Sequence, residues 1–232
     1  MRIDKWVQKF KGCGKSVARR LIASGEVRVD GVAVRDSHFE VTRFHKVEVS
    51  GEVAQSNRAY YIMLNKPAGC VSATSDTEHE TVVDLINEPF SDLLHIAGRL
   101  DKESTGLMIL TNDGQWSRLI TEPDEKIPKT YLVTTEKPIS PETVAAFAEG
   151  FYFAYEDITT LPAELEILTS SCARVVIYEG KYHQIKRMFH AVGNRITSLH
   201  REQIGSISLD ENLAPSDYRY LTDEEIDFSV KS

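Results

Sequence analysis

The segment GRLDKESTG, residues 98–106, sets an arginine and two carboxylates between two glycines, which allow backbone or ligand to approach closely. Asp101 could act as a nucleophile at an anomeric or other electrophilic carbon. It could instead work with Glu103 as the carboxylate pair of a glycosidase, or it could form a turn without chemistry. Residue types and spacing leave these three interpretations open.

A helix predicted over residues 182–192 carries the second group of reactive side chains. Its apolar residues recur at helical spacing and predict one buried stripe: Tyr182, Ile185, Phe189 and Val192. Its basic residues fall three and four positions apart on the other side: His183, Lys186, Arg187 and His190. Lys186 and Arg187 could be surface charges, or could bind a buried anion or an RNA backbone. The histidines are interpreted as polar surface, not as metal ligands.

Basic residues are concentrated near the N-terminus of an otherwise acidic chain. The net charge is −8 overall, yet residues 1–58 contain 12 Lys and Arg against 7 Asp and Glu. Such asymmetry is typical of a polyanion-binding module attached to a second domain. We therefore predict that this segment contacts RNA phosphates, which position a protein but carry little sequence information. The candidates for these contacts are Lys5, Lys15, Arg19, Arg20 and Arg28.

Local patterns predict how this basic segment folds. Apolar residues at helical spacing indicate short helices at 3–11 and 15–24. Asp30-Gly31 between alternating apolar residues indicates a two-residue β-hairpin, and a further strand is predicted near 46–49. Residues 51–59 are polar and patternless, so we predict a linker there, between a domain at 1–58 and a domain at 59–232.

The rest of the chain alternates strands and helices without a strict βαβ rhythm. Strands are predicted at 60–65, 129–136, 163–169 and 173–178, with a strand-turn-strand region at 93–110. Helices are predicted at 81–87, 115–121, 142–149 and 182–192. The acidic tail from residue 207 is predicted to be largely irregular. This order of elements favours an α+β fold with a mixed or antiparallel sheet.

Composition excludes several classes of protein. No apolar run approaches the roughly 20 residues that a membrane helix needs, and the first residues lack the apolar core of a secretory signal. The 3 cysteines are far apart and odd in number, which argues against a disulfide framework and a cysteine-based metal site. The histidines show no metal-binding spacing. We therefore expect a cytoplasmic protein with no metal and no membrane partner.

Several sequence blocks, in this order, resemble the signature of the RsuA-type pseudouridine synthases. They are LNKPAG (64–69), AGRLDKESTGLMILTNDG (97–114), EKIPKTYLV (125–133) and EGKYHQIKRMF (179–189). The N-terminal segment resembles an S4-like RNA-binding domain, whereas residues 150–162 match no block. The resemblance implies a small S4-like α/β domain followed by a catalytic domain with a mixed, mainly antiparallel sheet flanked by helices.

The resemblance also implies roles for individual residues. Asp101 corresponds to the family's essential carboxylate, and Lys186 to the basic residue that pairs with it. Tyr131 corresponds to the tyrosine that stacks on the target base, and Arg99 to an arginine beside the flipped-out nucleotide. Arg187 is a further substrate-binding candidate. The family uses neither a metal nor an organic cofactor.

The implied reaction is isomerisation of uridine 516 of 16S rRNA to pseudouridine, by a monomer that acts on a small-subunit assembly intermediate. A 23S rRNA synthase of the same family is an alternative, although such enzymes often carry a basic C-terminal extension and this sequence ends in acidic residues. A non-catalytic RNA-binding assembly factor is disfavoured because Asp101, Tyr131 and Lys186 are all present. An unrelated carboxylate hydrolase would leave the basic N-terminal segment unexplained.

Overall fold

The computed structural model describes residues 1–228, and its contacts divide the chain into two compact units. The first is Met1–Ala59, and the second begins at Tyr60. Each unit has its own hydrophobic core. Among the described residues, no helix has both the length and the apolar character needed to cross a membrane.

The first unit packs two helices on a small antiparallel sheet. Its elements are α1 (Ile3–Lys11), α2 (Lys15–Ala23), β1 (Val27–Val29), β2 (Val32–Ala33), β3 (Val47–Val49) and β4 (Glu52–Gln55), with strand order β2-β1-β3-β4. Ile3 and Val7, one helical turn apart, are buried in the same core as the strand valines. Asp30 and Gly31 have φ of 49° and 82°, as the turn of a two-residue hairpin requires.

The second unit is built on one large mixed sheet. Its strands are β5 (Tyr61–Lys66), β6 (His95–Ile96), β7 (Thr105–Thr111), β8 (Lys129–Thr135), β9 (Tyr152–Phe153), β10 (Ile158–Thr159), β11 (Glu164–Thr169), β12 (Cys172–Ile177), β13 (Ile196–Ile204), β14 (Ile207–Ser208) and β15 (Tyr218–Tyr220). Its helices are α3 (Gly114–Thr121), α4 (Glu142–Glu149), α5 (Gln184–Ala191) and α6 (Asp223–Phe228). Strands β9 and β10 form a separate hairpin.

The order of the main sheet is β11-β12-β8-β13-β7-β5-β15, with β6 paired to β7 and β14 to β13. Neighbours are antiparallel except β13 and β7, which run parallel. Strand β8 is covered on both faces, with every second residue buried and those between half-buried. Two apolar clusters lie on opposite faces of β7, since Met108 and Leu110 belong to one and Leu107 and Ile109 to the other.

Two predicted elements are wrong. Residues 52–55 form strand β4 and not a linker, because Ser50 and Gly51 both adopt positive φ and turn the chain back onto β3. Residues 81–87 make turns and no helix, although Thr81 and Asp84 exchange hydrogen bonds of 2.8 and 3.2 Å as at a helix start. Pro89 follows closely, and a proline disfavours helical conformation in the residue before it.

The helix predicted over 182–192 is shorter than expected. It begins at Gln184, so Tyr182 lies before it and is 74% exposed instead of joining the buried stripe of Ile185 and Phe189. The tail predicted to be irregular from residue 207 contains β14, β15 and α6, and β15 is held by backbone pairing with β5 at the sheet edge. The last part of that prediction, residues 229–232, lies outside the described residues.

Candidate active site

Asp101 lies on the loop that joins β6 to β7, and buried polar groups fix this loop along its length. Near the start, Ser72 exchanges hydrogen bonds with the backbone of Leu100, donating to its carbonyl at 2.6 Å and accepting from its N–H at 3.1 Å. After Asp101 the chain turns, with the Ser104 N–H donating to the Asp101 carbonyl at 3.1 Å. The carboxylate is therefore presented from a rigid turn.

Lys66, the last residue of β5, is a fully buried cation beneath the same loop. Its ammonium donates to the carbonyls of Pro67, Lys102 and Ser104 at 2.9, 3.0 and 2.8 Å. Burial lowers its pKa, since the charged form loses hydration. All three ammonium hydrogens thus have carbonyl partners, and Lys66 ties the end of β5 to the end of the Asp101 loop.

Arg201 of β13 is the second buried cation at this loop. Its guanidinium donates to the carbonyls of Leu107 at 2.8 Å and Gly98 at 3.0 Å. Gly106, at the start of β7, lies against the Arg201 backbone, and its φ of +100° suits glycine. A Cβ at residue 106 would come within 2.4 Å of the Arg201 carbonyl oxygen, so the parallel pairing of β7 and β13 requires a glycine here.

Both oxygens of the Asp101 carboxylate have basic partners from one segment. Lys186 Nζ lies 2.6 Å from Oδ2, and His183 Nε2 lies 3.2 Å from Oδ1. The Asp101 side chain keeps 28% of its surface exposed, so a ligand can still reach the carboxylate. The Lys186 ammonium attracts the carboxylate and fixes its position, and an aspartate held in this way can serve as a nucleophile.

The segment at the start of α5 is held by its own hydrogen bonds, and it carries His183 and Lys186. Buried Glu179 accepts a hydrogen bond from Gln184 Nε2 at 2.8 Å and pairs with Lys181 at 3.3 Å. His183 occupies the N-cap position with φ of 48°, in the left-handed region that non-glycine residues seldom adopt. This uncommon conformation lets His183 and Lys186, which lie on the first turn, reach the same carboxylate.

A cavity of about 90 Å³ opens beside Asp101. Tyr131 of β8, itself largely buried, and exposed Arg99 both line it. Because ligand pockets usually measure about 300–1,000 Å³, this cavity can enclose part of a nucleotide and leaves the remainder outside. Ser104 also lines it, and among the described residues its buried hydroxyl has no hydrogen-bond partner in the protein.

Two candidates from the sequence lie away from this cavity. Glu103 is exposed and lines a neighbouring groove, so a glycosidase-like pair with Asp101 gains no support. The Arg187 guanidinium is engaged by Glu156 at 2.7 and 2.8 Å and stacks 3.6 Å from the Phe153 ring centroid. That Arg187 binds substrate stays a prediction, and Glu156 accepts two of the hydrogen bonds that its guanidinium can donate.

In the first unit the predicted phosphate-binding side chains are exposed: Lys5, Lys15, Arg19, Arg20 and Arg28. Two of them also have internal partners. Arg19 lies 3.8 Å from the buried carboxylate of Asp4, and Arg28 donates to the Gly31 carbonyl at 3.2 Å. Lys5, Lys15 and Arg20 are the candidates with the most available charge.

Sequence reasoning missed the parts of the site that depend on burial and backbone conformation. His183 was interpreted as polar surface, although its position three residues before Lys186 could have suggested a shared ligand. Arg201 lies in none of the sequence blocks, and the block that contains Lys66 does not indicate its burial, because a lysine or arginine in a strand usually points to solvent.

Comparison with known proteins agrees with this geometry. The RNA pseudouridylate synthase family matches residues 60–191, and the S4 domain family matches residues 1–55. Ribosomal small subunit pseudouridine synthase A of Pseudomonas aeruginosa is 49% identical over 227 residues, covering 97% of this chain and 99% of the relative. The protein of the same name from Escherichia coli K12 is 47% identical, covering 97% and 98%.

A solved structure supports the same assignment. The crystal structure of a pseudouridylate synthase aligns with a TM-score of 0.72 and 40% sequence identity, covering 99% of both chains. The predicted α+β fold, with an S4-like domain followed by a catalytic domain on a mixed sheet, is confirmed. The chain therefore belongs to the RNA pseudouridylate synthase family, in its RsuA-type branch with an N-terminal S4 domain.

Proposed function

We propose that this protein converts one uridine of 16S rRNA, at the position equivalent to 516, to pseudouridine, with Asp101 as the catalytic carboxylate. The observation that carries the proposal is the Asp101 carboxylate at the mouth of a cavity, with Lys186 at 2.6 Å and His183 at 3.2 Å. The small-subunit target is supported by the relatives, which are named ribosomal small subunit pseudouridine synthase A.

The chemistry matches these residue types. The N1–C1′ bond of the uridine breaks, the base turns, and C5 joins C1′. C5 gives up its proton and N1 takes one up, so the product is an isomer of the substrate and no cofactor is needed. Asp101 acts as the catalytic carboxylate, either as a nucleophile at C1′ or C6 or as a base on a neighbouring carbon, and Lys186 holds it in place during the reaction. His183 binds the other carboxylate oxygen and limits rotation of the side chain.

The target base must leave its helical stack, at a cost of a few kcal/mol. Stacking on Tyr131 offsets part of this cost, since base–aromatic stacking is worth about 1–3 kcal/mol. Arg99, exposed at the same cavity, lies beside the nucleotide. Tyrosine also suits this place because it lacks a strong base that would compete with Asp101.

The two units have different functions. Residues 1–58 form the RNA-binding domain, and residues 59–232 the catalytic domain. The protein acts as a monomer in the cytoplasm, on rRNA within a small-subunit assembly intermediate. Among the two alternatives, a 23S rRNA target is opposed by the names of the relatives, and a non-catalytic assembly factor by the intact Asp101, Tyr131 and Lys186.

Modification mapping tests the proposal directly. Pseudouridine would be mapped in 16S and 23S rRNA from cells with and without the gene, by a pseudouridine-specific chemical stop. We expect loss of one 16S signal that the wild-type gene restores. Loss of a 23S signal would overturn the choice of subunit, and an unchanged pattern would overturn the enzymatic function.

Replacing Lys186 or His183 should lower the kcat that depends on Asp101, by a different amount for each residue. Lys186→Ala should lower kcat about 10- to 100-fold, because hydrogen bonds to charged groups contribute roughly 1.5–3 kcal/mol. His183→Ala should lower kcat about 2- to 10-fold, a smaller loss because its 3.2 Å contact with the carboxylate is longer than the 2.6 Å contact of Lys186. Single-turnover kinetics on 16S rRNA would measure both effects.

Lys186→Arg should restore most of the activity, because it keeps a cation near Asp101. Lys102→Ala is the matched control, since Lys102 is an exposed lysine on the Asp101 loop. Wild-type kinetics for Lys186→Ala would exclude Lys186 from the catalytic group.

If the first unit contacts RNA phosphates, removing its basic side chains should change how rRNA binding depends on salt. In the variant with both Lys15→Ala and Arg20→Ala, rRNA binding should weaken, and the slope of log K against log[salt] should become shallower by about 0.7–0.9 for each lost contact. Fluorescence anisotropy at several salt concentrations would measure the slope. Lys11→Ala is the control, because Lys11 is already paired with Glu52 at 2.8 Å. An unchanged slope would place the RNA elsewhere on the protein.

A further inference from the structure

Residues 150–162, which contain none of the sequence blocks quoted above, form a hairpin that reaches the start of α5. Strands β9 and β10 pair antiparallel, and the turn between them carries Tyr155, which is 97% exposed. Glu156, the next residue, forms both hydrogen bonds to the Arg187 guanidinium, at 2.7 and 2.8 Å. The hairpin is therefore attached to the helix that holds Lys186.

A second exposed tyrosine is bonded through its backbone to the same arginine. Tyr182 is 74% exposed, and its carbonyl accepts a 3.4 Å hydrogen bond from Arg187 Nη1, the atom that also binds Glu156. The guanidinium packs on Phe153, 3.6 Å from its ring centroid. Arg187 thus joins two segments that each carry an exposed tyrosine.

Tyr182 lies at the rim of the catalytic cavity. Its chain neighbours Lys181 and His183 both line that cavity, and the His183 ring, which contacts Asp101, stacks on the Tyr182 ring at 3.9 Å. One face of the tyrosine is covered by the imidazole, and the remaining surface is open to a ligand. A single exposed tyrosine needs no explanation, but this one lies between two residues that line the catalytic cavity.

We propose that Tyr182 and Tyr155 form an aromatic platform on which unpaired RNA bases adjoining the target uridine stack, with Arg187 as the residue that positions the two segments. This inference rests on the proposed function. A uridine whose base enters a cavity of about 90 Å³ leaves its covalently joined neighbours outside, over the rim. Exposed aromatic rings beside lysines are the usual surface for single-stranded RNA.

The charges around the platform favour RNA over a protein partner. Arg99 is an exposed cation at this cavity, where phosphates on either side of the flipped nucleotide would pass. Lys181 and Lys186 on the cavity wall are paired with Glu179 at 3.3 Å and with Asp101 at 2.6 Å. The hairpin turn carries Glu156, whose charge Arg187 compensates, and Asp157, which accepts a hydrogen bond from the Tyr152 hydroxyl at 2.8 Å. The ligand that suits exposed aromatic rings beside a cation is therefore single-stranded RNA, because its bases stack and its phosphates are negatively charged.

The platform is tested by measuring the Kd of the full-length protein for a 16S rRNA transcript that contains the mapped uridine. Tyr182→Ala should raise Kd about 5-fold or more, whereas Tyr182→Phe should stay within about twofold, because stacking needs the ring and not the hydroxyl. Tyr155→Ala should raise Kd in the same direction. Tyr152→Ala is the matched control: Tyr152 is 63% exposed on the same hairpin, but alternation along β9 turns it away from Phe153 and Arg187.

A spectroscopic readout separates stacking from a general loss of structure. 2-Aminopurine placed beside the target uridine should be quenched by wild type and by Tyr182→Phe, and should stay bright with Tyr182→Leu. Arg187→Ala should weaken binding, and adding Tyr155→Ala to it should have little further effect, since both act on one platform.

The outcomes distinguish this inference from the proposed function. If wild type makes no pseudouridine in 16S rRNA, the proposed function is wrong. If wild type is active and the Tyr182 and Tyr155 variants bind and quench as wild type does, the platform is wrong. If the Tyr182 and Tyr155 variants bind naked rRNA as wild type does but lose activity on the ribonucleoprotein, the two tyrosines contact a protein. That result would also overturn the platform.

Discussion

Asp101→Asn should abolish pseudouridine formation while leaving rRNA binding within about twofold of wild type. Removal of a single catalytic nucleophile typically costs at least ~10⁴-fold in kcat. Asparagine has nearly the same shape and can still accept a hydrogen bond from Lys186, so the loop held by Lys66 and Ser72 should keep its conformation. Product would be measured by chemical mapping, and binding by anisotropy on the same protein preparation.

Glu103→Gln is the matched control for this experiment. It neutralises an exposed carboxylate two residues away that lies outside the catalytic cavity. We expect wild-type activity from it. Equal losses in Asp101→Asn and Glu103→Gln would revive a mechanism with paired carboxylates, and a loss of both binding and thermal stability in Asp101→Asn would show that the carboxylate supports the fold.

Gly106→Ala should destabilise the protein by about 3 kcal/mol or more, which is a large effect for the addition of one methyl group. The new Cβ would lie 2.4 Å from the Arg201 carbonyl oxygen and 2.8 Å from its nitrogen, and both are backbone atoms that cannot rotate away. The φ of +100° adds strain for any residue other than glycine. Urea unfolding followed by circular dichroism would measure the loss.

Gly114→Ala provides the comparison for this substitution. Gly114 is the first residue of α3, and no atom lies within 4 Å of a Cβ built there. Alanine at such a position should leave stability unchanged or raise it by about 0.4–1 kcal/mol, because it restricts the unfolded chain. A Gly106→Ala variant as stable as Gly114→Ala would mean that β7 and β13 can separate without cost.

Elements with a strong local pattern could be predicted from the sequence. The helices of the first unit follow from apolar spacing, and the hairpin at Asp30-Gly31 follows from a turn that few other residue pairs favour. The same reasoning failed at residues 81–87, where the apolar spacing suits a helix but Pro89 and the packing of Val82 and Val83 end it after a turn. Whether a short apolar pattern forms a helix therefore depends on the residues that follow it and pack around it.

The candidate site was predictable to the extent that it depends on sequence blocks. Asp101, Tyr131 and Lys186 come together at one cavity. The contact of His183 with Asp101 depends on a left-handed backbone at the start of α5, which no propensity for histidine predicts. The buried Lys66 bonds to carbonyls that belong to a distant loop, and such partners cannot be found from local spacing.

Strand β13 lies between β7 and β8 in the sheet, although β7 precedes it in the chain by about ninety residues. During synthesis at about 5–20 residues per second, on the order of 5–20 s separate the appearance of residue 106 from that of Arg201, its partner. Through that interval the Asp101 loop lacks the guanidinium that fastens it, whereas the first unit, complete at Ala59, can already fold. A nascent chain of this protein should therefore acquire affinity for RNA well before it acquires the ability to modify it.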